Sequence, residues 1–131
     1  MLVILRTLGI GGLLALPTLL LPFDWMDAVH RFAGLGELPD APITRYLARS
    51  VSSFYAVVGS LALCLSFDVR RYRPVIRLWS WVLLAFGITI LVIDLTAPMP
   101  WLWILLEGPP SILVGVLAVV GQKGIREPAS S

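Results

Sequence analysis

The chain has 131 residues, 58% of them hydrophobic and 14% charged, with a net charge of +2 and a mean hydropathy of +0.90. A soluble domain averages about 45–50% apolar and about 25% charged residues, so the composition excludes an ordinary water-soluble globule and points to one unit whose solvent is a bilayer. The small charge, with no basic stripe interleaved with aromatics, argues against nucleic acid as a partner. One cysteine and one histidine exclude an intramolecular disulfide, a cysteine-based metal centre and a haem held by two histidines of the chain.

Four segments reach the ~20 mostly apolar residues that a membrane span needs: 2–21, 46–67, 75–95 and 101–120. The first carries an early Arg6, but its apolar run exceeds the ~7–15 residues of a signal-peptide core and no A-x-A-like site follows, so it is expected to stay as a span. Residues 22–45 predict a short helix that starts at Trp25, capped by Asp24 and ended by Gly34 and Gly36. Trp25, Met26, Val29 and Phe32 fall on one side of it, away from Asp27, His30 and Arg31. That pattern suits a helix lying at the outer membrane interface.

The second span opens "TRYLARSVSSFYA". Arg45 and Arg49, four apart, share a helical face, and Ser52 and Ser53 continue near it. Cys64, further along, reads as a small buried hydrophobe. The basic link "DVRRYRP" at 68–74 follows. The third span ends on Asp94. The fourth holds Glu107, ~9 Å from Trp101 at 1.5 Å per residue, followed by Gly108, Pro109 and Pro110. Prolines lack the amide hydrogen, which leaves the Leu105 and Leu106 carbonyls unpaired and predicts a break and kink in that helix. Small residues also recur at helical spacing: Gly9, Gly12 and Ala15; Ser52, Ala56 and Gly59; Ser111, Gly115 and Ala118. They permit close helix packing where lipid offers no hydrophobic drive.

Basic residues fix the expected orientation. Arg6, the Arg70, Arg71, Arg73 and Arg77 cluster, and Lys123 and Arg126 in the polar tail at 121–131 share one side of a four-span chain. Both termini are therefore expected to be cytoplasmic, in a cytoplasmic (inner) membrane. The expected fold is an all-α four-transmembrane-helix bundle, one domain over 1–131, with the short interfacial helix between spans 1 and 2.

Ionisable groups inside spans need a partner or a hydrated cavity. Arg49, Asp94 and Glu107 fall in the same outer third of the membrane. They predict an ion-pair cluster beside the kink, with Tyr46, Tyr55, Ser52, Ser53 and Ser111 as hydrogen-bonding neighbours, Arg45 on the same face as Arg49, and His30 approaching from above. Such a cluster is either a register lock between helices or a polar pocket.

The layout resembles the DoxX-like group of small bacterial four-helix membrane proteins. The resemblance rests on "RTLGIGGLL", "PITRYLARSVSSFYAVVGSLAL", "DVRRYRP" and the fourth span, and it implies the fold. Named members of that group are associated with quinone-linked thiosulfate oxidation, but nothing in this chain marks a quinone, thiosulfate or flavin site. More distantly, Asp94 and Glu107 are similar to the acidic residues with which emopamil-binding-type membrane proteins hold amine-bearing or sterol-like ligands. Arg49 departs from that pattern.

Three readings of function follow. The first is a lipid-embedded protein that binds a small amphipathic molecule, lipid-like or quinone-like, in the outer-half pocket. The second is an accessory subunit bound to another membrane protein, its ion pairs purely structural. The third is a membrane enzyme using a buried carboxylate as acid or base. Catalytic triads, phosphate-binding loops, dinucleotide fingerprints and metal motifs are absent from the sequence, and no metal or cofactor is expected.

Overall fold

A computed structural model describes residues 1–97 and 99–122 of the chain. Lys123 and Arg126, and the tail beyond Gln122, lie outside the described residues. Among the described residues every regular element is helical: α1 (Leu2–Leu13), a 3-10 turn (Leu16–Leu19), α2 (Phe23–Phe32), α3 (Pro42–Phe67), α4 (Arg73–Thr96) and α5 (Trp101–Gly121). Four stretches are long and apolar enough to cross a membrane: Leu2–Leu19, Pro42–Phe67, Arg73–Thr96 and Trp101–Gly121, with mean hydropathies of 1.7 to 2.1.

Prolines decide most of the boundaries. The first stretch is not one α-helix to residue 21, because Pro17 cannot bond the Leu13 carbonyl and its ring opposes it. The α-helix ends at Leu13, and the chain tightens into the 3-10 turn, with Pro17 in its opening positions. The helix α3 begins at Pro42, four residues before the expected Tyr46. Proline is suited to a first helical position, where the missing N–H would have no partner anyway. Likewise α4 starts at Arg73 with Pro74 in its first two positions, and Pro100 precedes α5.

The short helix also starts earlier than expected, at Phe23. Pro22 takes the cap position and no side chain caps the end, so Asp24 is a first-turn acid rather than the cap. Gly34 and Gly36 end it as expected, at φ 78° and 80°. The Gly34 N–H donates to the Arg31 carbonyl (3.0 Å) and the Leu35 N–H to the His30 carbonyl (3.1 Å). This is the paired closure that a left-handed residue after a helix allows. The expected break at Gly108, Pro109 and Pro110 is absent: α5 runs unbroken from Trp101 to Gly121 with both prolines inside it.

The chain falls into two compact units, Arg6–Leu63 and Met1–Leu5 with Cys64–Ser131. In Arg6–Leu63 the small residues of α1 and α3 meet. A Cβ on Gly12 would sit 2.6 Å from the Tyr55 carbonyl oxygen and 2.7 Å from the Gly59 Cα. The hydroxyls of Thr18 and Ser52 are hydrogen-bonded at 2.6 Å. In the other unit, α4 and α5 pack antiparallel. A Cβ on Gly87 would meet the Ile112 N at 2.6 Å, one on Gly115 the Leu84 Cα at 2.5 Å, and one on Gly108 the Leu91 Cδ1 at 2.9 Å. Gly108 is thus a contact point between α4 and α5. Leu5, Leu65 and Ile76 form a small buried cluster here, flanked by Met1, Val69 and Tyr72. The Asp68 carboxylate accepts the Arg71 N–H (3.0 Å) and so folds the basic link.

Most of the apolar surface faces outward. No more than 28% of any of the four apolar windows is buried, and Val57, Leu78, Leu106 and Leu113 are each more than half exposed. Cys64, expected inside, is exposed, because Ala62, Leu65 and Ser66 form the buried face of α3 at that level.

The close approaches give a direct comparison. A Gly87→Ala substitution places a methyl against backbone and should lower stability by about 1–3 kcal/mol. Gly11→Ala, which meets nothing within 4 Å, should be neutral or raise stability by about 0.5–1 kcal/mol. Reversible unfolding in detergent micelles measures both.

Candidate functional site

The polar residues expected to form one cluster belong to different units: Arg45, Tyr46, Arg49, Ser52, Ser53, Tyr55 and His30 to Arg6–Leu63, and Asp94, Glu107 and Ser111 to the other. Each set has its own geometry.

The first set shapes an open groove of about 610 Å³ along the N-terminal three turns of α3, lined by Asp40, Pro42, Arg45, Tyr46, Arg49, Ser50 and Ser53. Positions 42, 45, 46, 49, 50 and 53 recur at the three- and four-residue spacing that keeps side chains on one helical face. Arg45 is ion-paired to Asp40, and its guanidinium stacks over the Phe23 ring at 4.9 Å. Arg49 is exposed, and no carboxylate within Arg6–Leu63 pairs with it. The Ser53 hydroxyl donates to the Arg49 carbonyl at 2.9 Å. Ser52 instead faces the first helical stretch through Thr18 and does not line the groove. The Tyr55 carbonyl marks the close approach to Gly12.

Asp40 reaches the groove because the segment joining α2 to α3 is strapped to α2. The Asp27 carboxylate accepts the Leu38 N–H at 2.7 Å and pairs with Arg31 at 2.8 Å. Arg31 also reaches Glu37 at 3.3 Å, and the His30 Nδ1 lies 3.0 Å from the Gly36 carbonyl. His30 therefore serves the strap. Sequence spacing missed this role of Asp27, Glu37 and Asp40, because the partners follow from the glycine-induced reversal at 34–36. The Leu38 amide bond, followed by Arg31, holds the Asp27 carboxyl below its ordinary value of 3.8.

The second set lies where α4 meets α5. Asp94 is 4% exposed, and among the described residues its Oδ2 has no hydrogen-bond partner. It follows Gly87 and Leu91 on the α4 face that meets α5. Glu107 is half-buried, follows Trp103 by one turn on α5, and interacts electrostatically with Asp94. The Ser111 hydroxyl donates to the Glu107 carbonyl at 2.7 Å. Asp94 and Glu107 thus belong to helices that meet at the Gly108–Leu91 contact, close enough to interact electrostatically. Trp103 was not singled out by the sequence; its position four residues before Glu107 was the available signal.

No protein-family model matches the chain, and no curated protein or solved structure matches it.

Two expectations follow. Because the folded Asp27 carboxyl is shifted down, its contribution is complete above pH 3.8 and is lost only as pH falls below that value through the folded pKa. In a His30→Gln background, which removes the neighbouring imidazole, the Leu38 amide proton resonance should stay constant from pH 7 to pH 5 and move only in the more acidic range. In Asp27→Asn it should sit elsewhere at every pH. Separately, Asp94→Leu removes a buried, unpartnered carboxylate oxygen from an apolar interface. It should raise stability by about 1–3 kcal/mol, read as a higher midpoint in reversible denaturation.

Proposed function

We propose that the chain is a four-span protein of the cytoplasmic membrane, with both termini in the cytoplasm, that binds a small amphipathic molecule in the groove of Arg45, Tyr46 and Arg49. The groove carries this reading. It is an open space of about 610 Å³, lined by apolar surface with the polar groups of Asp40, Arg45, Tyr46, Arg49, Ser50 and Ser53 set into it, on the flank of a helix whose neighbouring residues Ile43, Leu47, Val51 and Phe54 are exposed and apolar. A largely apolar groove carrying a few charged and hydroxyl groups suits a molecule with a polar head and an apolar body.

The four apolar helices support placement in a membrane, and the arginine bias of the sequence supports the orientation. On this reading α2 lies at the outer interface. Trp25, Val29 and Phe32 are 66%, 65% and 93% exposed, an uncovered apolar side consistent with contact to acyl chains. Kinship with DoxX-like proteins is part of the same proposal and rests on the four quoted stretches and the helical layout; it supplies no substrate.

The carboxylate pair of α4 and α5 favours a second reading, acid–base chemistry on a membrane-embedded substrate. Asp94 and Glu107 converge inside segments that have no need of charge to be helical. In that case Asp94→Leu would abolish turnover while stabilising the fold, the trade-off expected where a site is built at the expense of packing.

The groove reading is tested by thermal unfolding of purified protein against a panel of phospholipids and quinones. A bound amphipath stabilises the folded form in proportion to its concentration over its dissociation constant. At least one member should raise the melting temperature of the wild-type chain, and Ser53→Trp, which fills the groove, should abolish that rise. A panel without effect, or a rise that survives Ser53→Trp, overturns the reading.

A further inference from the structure

The groove has a charge balance that selects among amphipaths. Its lining holds two guanidinium groups and one carboxylate. The carboxylate is committed, since Asp40 is ion-paired to Arg45. Arg45 is fixed a second time by the Phe23 ring, 4.9 Å from its guanidinium carbon. What remains is Arg49, four residues further along the same face, exposed and without a carboxylate partner in its own unit. The groove therefore offers one uncompensated positive charge.

Its other polar groups match an acceptor-rich ligand. Tyr46 and Ser50 bring hydroxyls to the lining, and the Ser53 hydroxyl already spends its hydrogen on the Arg49 carbonyl. A guanidinium is planar and presents paired N–H donors that fit the oxygens of a phosphate or carboxylate. A quinone carbonyl would accept one hydrogen bond and leave the charge unanswered. An amine-bearing amphipath would meet Arg49 as a like charge, and Asp40, engaged by Arg45, is not available to receive it. A zwitterionic headgroup meets the same difficulty at its ammonium end.

We propose that this groove binds the monoanionic phosphodiester headgroup of a membrane phospholipid, with Arg49 as the phosphate-binding residue, Tyr46 and Ser50 as hydroxyl donors, and the apolar flank of Ile43, Leu47 and Phe54 against the acyl chains. The assignment rests on the groove being an amphipath site and names the chemistry of its ligand. Arg45 is a positioning residue: it holds Asp40 away from the headgroup and keeps the groove's charge at one.

The test uses the full chain in phosphatidylcholine nanodiscs containing equal minor fractions of phosphatidylglycerol and a quinone, with retained molecules identified by native mass spectrometry. Wild-type protein should retain phosphatidylglycerol over phosphatidylcholine by about five-fold, the factor one cationic side chain supplies near a membrane surface. Arg49→Gln should remove the preference. Arg49→Lys should keep part of it, because the charge remains while the planar donor pair is lost. Circular dichroism of the exposed-site variants checks that the helices are intact.

Equal retention of the two lipids, or retention of a quinone in preference to both, overturns the phosphodiester assignment while leaving an amphipath site in place. Retention of none of them removes the amphipath reading itself. Water-soluble glycerophosphoglycerol competing as well as the intact lipid would make the groove a site for a soluble anion and overturn the membrane-lipid assignment. A preference that persists in Arg49→Gln overturns the role of Arg49.

Discussion

Backbone-to-backbone contact at glycine is the constraint on which the described packing depends. Helices exposed to lipid gain nothing from hiding leucines against one another, so they associate through close van der Waals contact. Gly12 and Gly59 achieve this between α1 and α3, and Gly87, Gly108 and Gly115 between α4 and α5. Large apolar side chains are turned outward along all four long stretches, and the buried cluster of Leu5, Leu65 and Ile76 is small. The polar features sit beside these contacts: Asp94 one turn beyond Leu91, and the Thr18–Ser52 hydroxyl pair next to the α1–α3 approach.

Much of this order was legible in the sequence. Length and apolarity identified the four long segments, and the ends of the third and fourth fall within two residues of expectation. Proline needs a finer reading. At Pro42, Pro74 and Pro100 it marks where a helix starts; at Pro17 it ends one. At Pro109 and Pro110 it does neither: α5 continues through both, beside the close approaches of Gly108 and Gly115 to α4. Pattern alone does not separate these cases, since the deciding partner is on another helix. The small-residue repeats were read correctly for α1, α3 and α5, whereas Gly87, isolated among large residues in α4, gave no periodic signal.

The polar residues were legible as residues and less so as groups. Helical spacing placed Arg45 and Arg49 on one face with Ser52 and Ser53 near it, and Arg45, Arg49 and Ser53 line the groove together with Tyr46. Ser52 departs from that face towards Thr18. Similar depth led to the expectation of an ion-pair cluster of Arg49, Asp94 and Glu107, whereas the electrostatic interaction of Asp94 with Glu107 follows from the antiparallel register of α4 and α5. His30, Glu37 and Asp40 form the strap and rim through a chain reversal that requires positive φ at two glycines, and no periodicity foretells which side chains such a reversal will bring together.

That strap ties two parts of the chain into one mechanical linkage. Asp27 on α2 grips Leu38, and two residues later Asp40 grips Arg45 on α3. The carboxylate that tempers the groove is thus carried on a tether whose other end is fastened to the short helix. Wherever α2 is seated, Asp40 is seated with it. Lifting that helix would withdraw a negative charge from the groove and double its positive one, so the electrostatic character of this surface is set by a contact outside it.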